Sequence, residues 1–237
     1  MYGITGNHLQ QLMDDLRGRL LTMAAITREA THDAVAALME QDRDKAAAVI
    51  DGDAALDRME VELDDSIMQI LARAQPVACD LRLLLSGIRL ISDLERIGDE
   101  AVSVAQRAAL MGDFSATADL TWLGALGHRA ERTLADAVRA FRDGDAKLAL
   151  TIRSQQDENT QMAVAGFQHI MRDLQAGNVD AWYALHLILI TRALERVCSR
   201  AVNVAEHAYF LAEGVNLKHV PLSEAKERHV VGDVSSV

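Results

Sequence analysis

The chain has 237 residues, a formal net charge of −11 and 50% apolar residues, with aromatic residues at only 4%. This length is sufficient for one large domain or two small ones with a substantial core. Two prolines, few glycines and abundant Ala, Leu, Met, Arg and Glu exclude a sheet-rich fold and favour helices, while the excess of acids over Lys and Arg argues against binding to nucleic acid.

Apolar residues recur at every third or fourth position along the first half of the chain and predict three long helices. The apolar stripes cover residues 9–38, 49–74 and 84–105. Polar residues Gln41–Asp44 separate the first two stripes, and Pro76 ends the second because proline disrupts a helix interior. Connections this short place sequential helices antiparallel.

The second half of the chain has the same organisation. Its apolar pattern predicts three further helices, at Leu120–Phe141, Ala146–Leu174 and Ala181–Leu211. Because any two amphipathic helices share apolar spacing, this periodicity alone does not establish a repeat.

Two shared motifs indicate an internal duplication. Leu-Glu-Arg-Ile at Leu94–Ile97 corresponds to Leu-Glu-Arg-Val at Leu194–Val197. Seven residues after the start of each motif, Ala-Val-Ser-Val-Ala at Ala101–Ala105 corresponds to Ala-Val-Asn-Val-Ala at Ala201–Ala205. The order and spacing of the two motifs are therefore the same in both halves.

These patterns predict an all-α protein made of two tandem antiparallel three-helix bundles. The first bundle is expected at residues 1–113 and the second at residues 114–214, with the boundary near Gly112–Ala118. Residues 215–237 are polar and are expected to form a C-terminal tail.

Acidic residues interrupt the apolar stripes of the second and third helices. Glu95 fills a position in the third stripe, and Asp99 lies one turn further along the same face. In the second helix Asp53 and Glu60 interrupt the stripe, and Asp57 lies one turn from Asp53. A carboxylate in such a position must be paired, neutralised or bound to metal, because burying it alone is costly.

The predicted hairpin places these acids at one level of the bundle. If helices two and three fold back around residues 75–80, residues whose numbers sum to about 155 lie level. Glu60 then faces Glu95, and Leu56 faces Asp99. The turn between helices one and two brings Glu29 to the same cross-section.

Two interpretations of this acidic cluster remain open at the level of sequence. Up to six carboxylates that converge cannot all stay ionised without a cation, and hard oxygen ligands suit Mg²⁺, Ca²⁺, Mn²⁺ or carboxylate-bridged iron. Alternatively, the acids form a solvated helix face, with Arg28, Arg58 and Arg96 as local ion-pair partners.

Other features predict a cytoplasmic protein. Apolar runs such as Leu187–Ile190 are far shorter than the about 20 residues of a membrane-spanning helix. Met1–His8 lacks the basic and apolar regions of a secretory signal. Cys79 and Cys198 have no metal-ligand spacing and are interpreted as reduced packing residues.

Three segments of the chain carry a resemblance to a known family. Ser92–Ala101 has the sequence SDLERIGDEA, and Gln75–Arg82 has the sequence QPVACDLR. The first resembles the hallmark motif of the PhoU family, the regulators of phosphate uptake, and the second resembles the hairpin between helices two and three of that family. Ala193–Arg196 followed by Asn203–Glu206 resembles the copy of the motif in the second repeat. The resemblance extends from Leu9 to about Gly214 and includes the duplication.

The resemblance implies a fold of two three-helix bundles and a metal site. The E(D)xxxD motifs of the PhoU family hold iron or zinc clusters in some members. One such motif is matched by Glu95 and Asp99 and the other by Asp53 and Asp57, whereas Glu29 and Glu60 fall where related proteins often have acids. The expected cofactor is therefore a divalent or ferric ion, namely iron, zinc, manganese or magnesium.

The second repeat departs from the metal-binding pattern. Glu195 is retained, but Ser199 stands at the position equivalent to Asp99. A hairpin at residues 177–178 makes numbers that sum to about 357 level, so Glu195 faces Met162 rather than an acid. Arg132 is expected where the first repeat has Glu29, and Arg132 or Arg196 is expected to neutralise Glu195. We therefore expect the second repeat to bind metal weakly or not at all.

The resemblance implies a non-enzymatic negative regulator of phosphate uptake and of the phosphate-starvation response. The implied partners are the ATPase subunit of the phosphate ABC transporter and the cytoplasmic region of a sensor histidine kinase. Association with the membrane would then occur only through these partners, and a homodimer is expected.

Two other functions compete with this interpretation. A di-iron carboxylate enzyme would need two Glu-x-x-His pairs, but the chain has only Glu29-Ala30-Thr31-His32. A helical adaptor without metal is the third possibility. Metal content separates the adaptor from the other two, and oxygen-dependent turnover identifies the enzyme.

Overall fold

The computed structural model describes residues 6–111 and 119–219, and its described parts contain helices but no strand. The predicted boundary near 112–118 and residues 220–237 of the predicted tail lie outside the described residues. The helices are α1 (Gly6–Glu40), α2 (Arg43–Ala74), α3 (Ala78–Met111), α4 (Thr121–Asp143), α5 (Ala146–Ser154), α6 (Gln156–Ala176) and α7 (Ala181–Glu213), followed by a 3₁₀ helix at Leu217–His219. The predicted all-α fold is confirmed.

Aspartates begin several helices and glycines end them. Asp42, Asp145 and Asp180 precede α2, α5 and α7, and their carboxylates accept hydrogen bonds from main-chain N–H groups three residues later, at 2.9, 2.8 and 2.7 Å. Three helices end at a glycine in the left-handed region, with φ of 66°, 74° and 73° at Gly144, Gly177 and Gly214.

The predicted helix Ala146–Leu174 is divided into α5 and α6, which corrects the sequence-based boundary. The hydroxyl of Ser154 donates to the carbonyl of Thr151 at 2.7 Å. That carbonyl is the acceptor that the Gln155 N–H would use in a regular α-helix. The Gln155 N–H instead bonds to the carbonyl of Ile152 at 3.0 Å, which interrupts the helix for one residue.

Close approaches at glycines show how the helices of each repeat are aligned. A Cβ atom at Gly98 would lie 2.4 Å from Leu56 Cδ2, and one at Gly87 would lie 3.2 Å from Ile67 Cδ1. In both pairs the residue numbers sum to 154, one less than the level predicted for the hairpin between α2 and α3. In the second repeat a Cβ at Gly166 would lie 3.3 Å from Thr191 Cγ2, as predicted.

The two bundles share one core, because α3 packs against α7 and α1 packs against α4. Arg89 of α3 contacts Phe210 of α7, and further along α3 Glu100 contacts Arg196, which lies earlier on α7. These helices are therefore antiparallel. The shared motifs are offset by 100 residues, so a pseudo-twofold axis passes near Gly98 and Cys198. None of the described helices is long and apolar enough to cross a membrane.

We predict that Gly127→Ala destabilises the junction between α1 and α4. The new Cβ would lie 2.6 Å from Cγ1 of Val35, whose branched side chain has little freedom to move away. We expect a loss of about 1–3 kcal/mol in the free energy of unfolding, measured by urea denaturation.

Gly18→Ala is the matched control for this prediction. Gly18 also lies inside a helix, but nothing lies within 4 Å of its would-be Cβ, so alanine should stabilise the protein by about 1 kcal/mol. Stabilisation by both substitutions would show that the contact between α1 and α4 tolerates a larger residue.

Candidate metal site

The acidic residues of α2 lie on the edge of its buried face. Leu56 points into the core with only 3% of its surface exposed. Asp53 and Glu60, three residues before it and four residues after it, are half-buried, whereas Asp57 is exposed. Helical periodicity therefore places the three carboxylates beside the apolar contact with α3.

The acidic residues of α3 face the same region. Glu95 is half-buried and Asp99 is exposed, and Gly98 between them provides the close approach to Leu56. Because Gly98 has no side chain, α2 and α3 come close together at the level of the acids. We call the set Asp53, Asp57, Glu60, Glu95 and Asp99 the acidic face.

The electrostatics of Glu95 show that the carboxylates of the acidic face influence one another. The pKa of Glu95 is raised from 4.5 to about 7, first by burial and then by the negative charges of Asp99, Glu60 and Asp57. The positive charge of Arg96 opposes this rise. Glu95 is therefore the carboxyl group in this set that is most resistant to ionisation without a cation.

The pKa values of two other acids of this face are also raised. Burial, followed by the charges of Asp57 and Asp99, raises the pKa of Asp53. Burial and the charge of Asp64 raise the pKa of Glu60, with smaller contributions from Asp57 and Asp99. The structure thus brings the five predicted acids of α2 and α3 into one interacting group.

Glu29 lies near this group but on a different wall. A cleft of about 180 Å³ between α1, α2 and α3 is lined by Glu29 and Asp33 of α1 and by Asp53 of α2. Glu29 itself is exposed. The prediction that α1 contributes an acid near Asp53 therefore agrees with the geometry.

Sequence reasoning missed two acids next to the predicted ones. Asp33 lines the cleft, and the pKa of Asp64 is raised by burial and by its neighbour Asp65. A signal was present, because Asp33 follows Glu29 by four residues and Asp64 follows Glu60 by four residues. This is the same spacing that identified the other acidic pairs.

The donor atoms of these residues suit a hard cation, but the side chains are not arranged around a common centre. All donors are carboxylate oxygens, which suit Mg²⁺, Mn²⁺ and iron, and none of the six predicted ligands forms an ion pair with an arginine, lysine or histidine within the described ranges. However, among residues 6–111 and 119–219, no group of three or more His, Cys, Asp or Glu side chains is arranged to hold a metal ion. Binding would require these side chains to turn toward a common centre.

The arginines that the solvated-face interpretation assigns as ion-pair partners do not pair with the acids in the described part of the chain. Within the described part of the chain, Arg28 and Arg58 form no ion pair with the acidic face, and Arg96 acts on Glu60 and Glu95 only as a nearby charge. The acidic face therefore keeps an excess of negative charge.

His32 does not extend the acidic face. Its Nδ1 lies 3.3 Å from Oε2 of Glu131 on α4, and its side chain is 64% exposed. The single Glu-x-x-His sequence therefore directs its histidine toward the second repeat rather than toward α2.

In the second repeat an arginine occupies the region that corresponds to the acidic face. The guanidinium of Arg129 on α4 donates to Glu158 at 2.5 Å and to the amide oxygen of Asn159 at 2.7 Å. Its charge also acts on Cys198, the equivalent of Gly98. A fixed cation thus neutralises an acid that could have contributed to a second metal site.

The predicted partner of Glu195 is corrected by the structure. Arg192, one turn earlier on α7, lies 3.3 Å from Glu195, whereas Arg196 pairs with Glu100 of α3 at 3.1 Å. Arg132 is exposed and lines a separate cleft with Arg28 and other residues. The sequence did not show which arginine faces Glu195, because the pairing of α3 with α7 was not predicted.

We predict that the protein without metal loses stability as the pH rises through the titration of Glu95. The folded state holds a proton on Glu95 up to a pH of about 7, while the unfolded chain releases it near 4.5, so the free energy of unfolding falls across that interval. Because the carboxyl group is partly exposed, we expect an effect on the order of 1 kcal/mol after solvent screening. Urea unfolding in a chelator at several pH values measures it.

Glu95→Gln should reduce this pH dependence to the smaller part that the raised pKa values of Asp53 and Glu60 contribute. The variant should be more stable than the parent at pH 8, but about equally stable at pH 4, where the glutamate is protonated. Asp51→Asn, at an exposed acid on α2, is the matched control and should leave the dependence unchanged. The same change of slope in both variants would contradict the role assigned to Glu95.

Comparison with known proteins identifies both repeats. The PhoU domain model matches residues 20–108 and 123–208, that is, one match in each repeat. A "phosphate-specific transport system accessory protein PhoU homolog" from Pseudomonas aeruginosa is 33% identical over 220 residues, covering 91% of this chain and 89% of the relative. The Escherichia coli PhoU protein is 28% identical, covering 88% and 86%.

Solved structures agree with the sequence comparison. The crystal structure of PhoU from Pseudomonas aeruginosa matches with a TM-score of 0.84 and 30% identity, covering 87% of this chain and 99% of that one. The PhoU structure from Streptococcus pneumoniae shares the fold, with a TM-score of 0.80 and 24% identity over 88% and 98% of the two chains. The chain belongs to the PhoU family.

Proposed function

We propose that this protein is a regulatory accessory protein of a phosphate-specific transport system. The observation that carries the proposal is the match of both repeats to the PhoU domain, together with the 33% identical relative that is named as such an accessory protein. Proteins of this family are regulatory or accessory proteins rather than enzymes.

The protein acts, in this proposal, by contact with two partners. These are the ATPase subunit of the phosphate ABC transporter and the cytoplasmic region of a sensor histidine kinase. Acting between them in the cytoplasm, it reduces phosphate uptake and the starvation response when phosphate is abundant. A homodimer is the proposed state, and the formal charge of −11 would make partner binding sensitive to salt.

Metal binding by the first repeat, residues 1–113, is the second part of the proposal. The carboxylates of the acidic face, with Glu29 from α1, would hold a divalent or ferric ion such as iron, zinc, manganese or magnesium. Burial first, and mutual repulsion second, raises the pKa of Glu95, Glu60 and Asp53, and the ion would neutralise that repulsion. The pairing of Arg129 with Glu158 argues against an equivalent site in residues 114–214.

We predict that deleting the gene leaves phosphate uptake and the starvation response active in high phosphate. A starvation-promoter reporter and phosphate uptake, measured in the deletion strain and in a complemented strain, provide the test. Because regulation occurs by contact, pull-down from native lysate should recover the transporter ATPase or the kinase, with less recovered as salt rises. A silent reporter with neither partner recovered would favour the enzyme or adaptor interpretation.

We predict that Glu95→Ala combined with Asp99→Ala abolishes tight metal binding. Elemental analysis of untagged protein and titration of metal-free protein with Mn²⁺, Fe²⁺ or Zn²⁺ measure binding. At a hundredfold excess over the dissociation constant, the ion should stabilise the parent by about 2.7 kcal/mol.

Glu195→Ala is the matched control for the metal prediction. Glu195 is the equivalent of Glu95 in the second repeat, but it is paired with Arg192. The variant should therefore retain metal. If Glu195→Ala removed the metal while the Glu95 and Asp99 variant retained it, the site would have been assigned to the wrong repeat.

A further inference from the structure

A polar groove runs between α3 and α7 on a side of α3 that the metal proposal does not use. It has a volume of about 610 Å³. Its basic residues come from three elements: Arg89 and Arg96 from α3, Arg200 and His207 from α7, and Lys218 from the 3₁₀ helix. This concentration of positive charge is unusual in a chain with a net charge of −11.

The acids in the groove wall are already paired. The buried carboxylate of Asp93 accepts from Arg200 at 3.3 Å and from Asn203 at 3.2 Å, and it lies 2.9 Å from Nε2 of His207. Glu206 pairs with Arg153 of α5 at 2.6 Å. Neither carboxylate is therefore left to neutralise the remaining cations.

Three cations of the groove have no carboxylate partner within the described residues. Arg89 packs over the ring of Phe210 at 5.6 Å, and neither it nor Arg96 nor Lys218 forms an ion pair. A fourth, Arg200, uses one nitrogen for Asp93, while its buried Nε has no hydrogen-bond partner in that same part of the chain. Such unmet donors favour an anionic ligand.

The pseudo-twofold symmetry of the molecule shows what is missing from the groove. One helical turn beyond Arg96 and Arg200, on the same face of the contact between α3 and α7, Arg196 pairs with Glu100 at 3.1 Å. An offset of 100 residues relates these positions to Arg96 and Arg200, which both line the groove. The ion pair thus corresponds to two arginines across the pseudo-twofold axis. Asp93 neutralises only Arg200, and an anion in the groove would neutralise Arg96.

We propose that the α3–α7 groove binds the phosphoryl group of a small molecule, either free inorganic phosphate or the phosphate of a nucleotide. Guanidinium groups bind such oxyanions through paired N–H donors, and the lysine adds a point charge. The side chains of Ser92 and Asn203 supply neutral hydrogen-bonding groups in the same wall. This assignment depends neither on the metal site nor on the proposed partners.

The test measures phosphate binding to the full-length protein by calorimetry and equilibrium dialysis. Ionic strength is held constant with chloride, and a chelator prevents phosphate from binding through a cation on the acidic face. The parent should bind phosphate, and Arg89→Gln combined with Lys218→Gln should weaken that binding by about tenfold or more. Arg96 is left unchanged because it also acts on Glu60 and Glu95.

Arg139→Gln combined with Lys147→Gln is the matched control. It removes the same charge from exposed positions outside the groove wall and should leave phosphate binding unchanged. Absence of binding of both phosphate and ATP by the parent, or equal losses in the two double variants, would overturn the proposal.

Further ligands identify the source of the phosphoryl group. Tighter binding of ATP or ADP than of phosphate would assign the groove to a nucleotide, whereas equal or weaker binding would assign it to free phosphate. Binding of adenosine alone, or of a polyglutamate peptide without phosphate binding, would contradict the proposal. The peptide result would indicate an acidic segment of a protein partner instead.

Discussion

The buried carboxylate of Asp93 is the constraint on which the alignment of α3 and α7 depends. A buried carboxylate without partners would be strongly destabilising, and all three partners of Asp93 in the described structure come from α7. These contacts hold the two motif-bearing helices antiparallel. Because α3 also packs on α1 and α2, and α7 on α4 to α6, the same alignment joins the two bundles into one core.

The acidic face follows from that frame and from one glycine. Gly98 lets Leu56 approach α3 so closely that carboxylates on both helices lie within range of each other's charge. Burial and mutual repulsion then raise the pKa of Glu95, and within the described residues no arginine forms an ion pair with Glu95 that would offset this rise. In the second repeat the equivalent of Gly98 is Cys198, and Arg129 forms an ion pair with Glu158 of that repeat.

Local patterns made much of this structure predictable. Apolar spacing and hairpin position predicted the level of Leu56 against α3 to within one residue, and the acidic pairs followed from the four-residue spacing on a helix. The break at Gln155 was not predictable from apolar spacing, because it depends on a hydroxyl of Ser154 competing for a main-chain carbonyl. The partners of Asp93 were missed for another reason: they lie 107 to 114 residues away, so finding them requires the packing of α3 on α7.

The charged regions of this fold lie where the two repeats differ. Because both repeats form the same three-helix framework, a residue that differs between equivalent positions is not required by that framework. Asp99 against Ser199 concentrates negative charge on the first repeat, while Arg200 against Glu100 concentrates positive charge in the α3–α7 groove. Arg96 lines that groove and also lowers the pKa of Glu95, so the two regions share one charge. A cation bound on the acidic face and an anion bound in the groove would therefore be coupled through Arg96, and each would change the affinity for the other by the same factor.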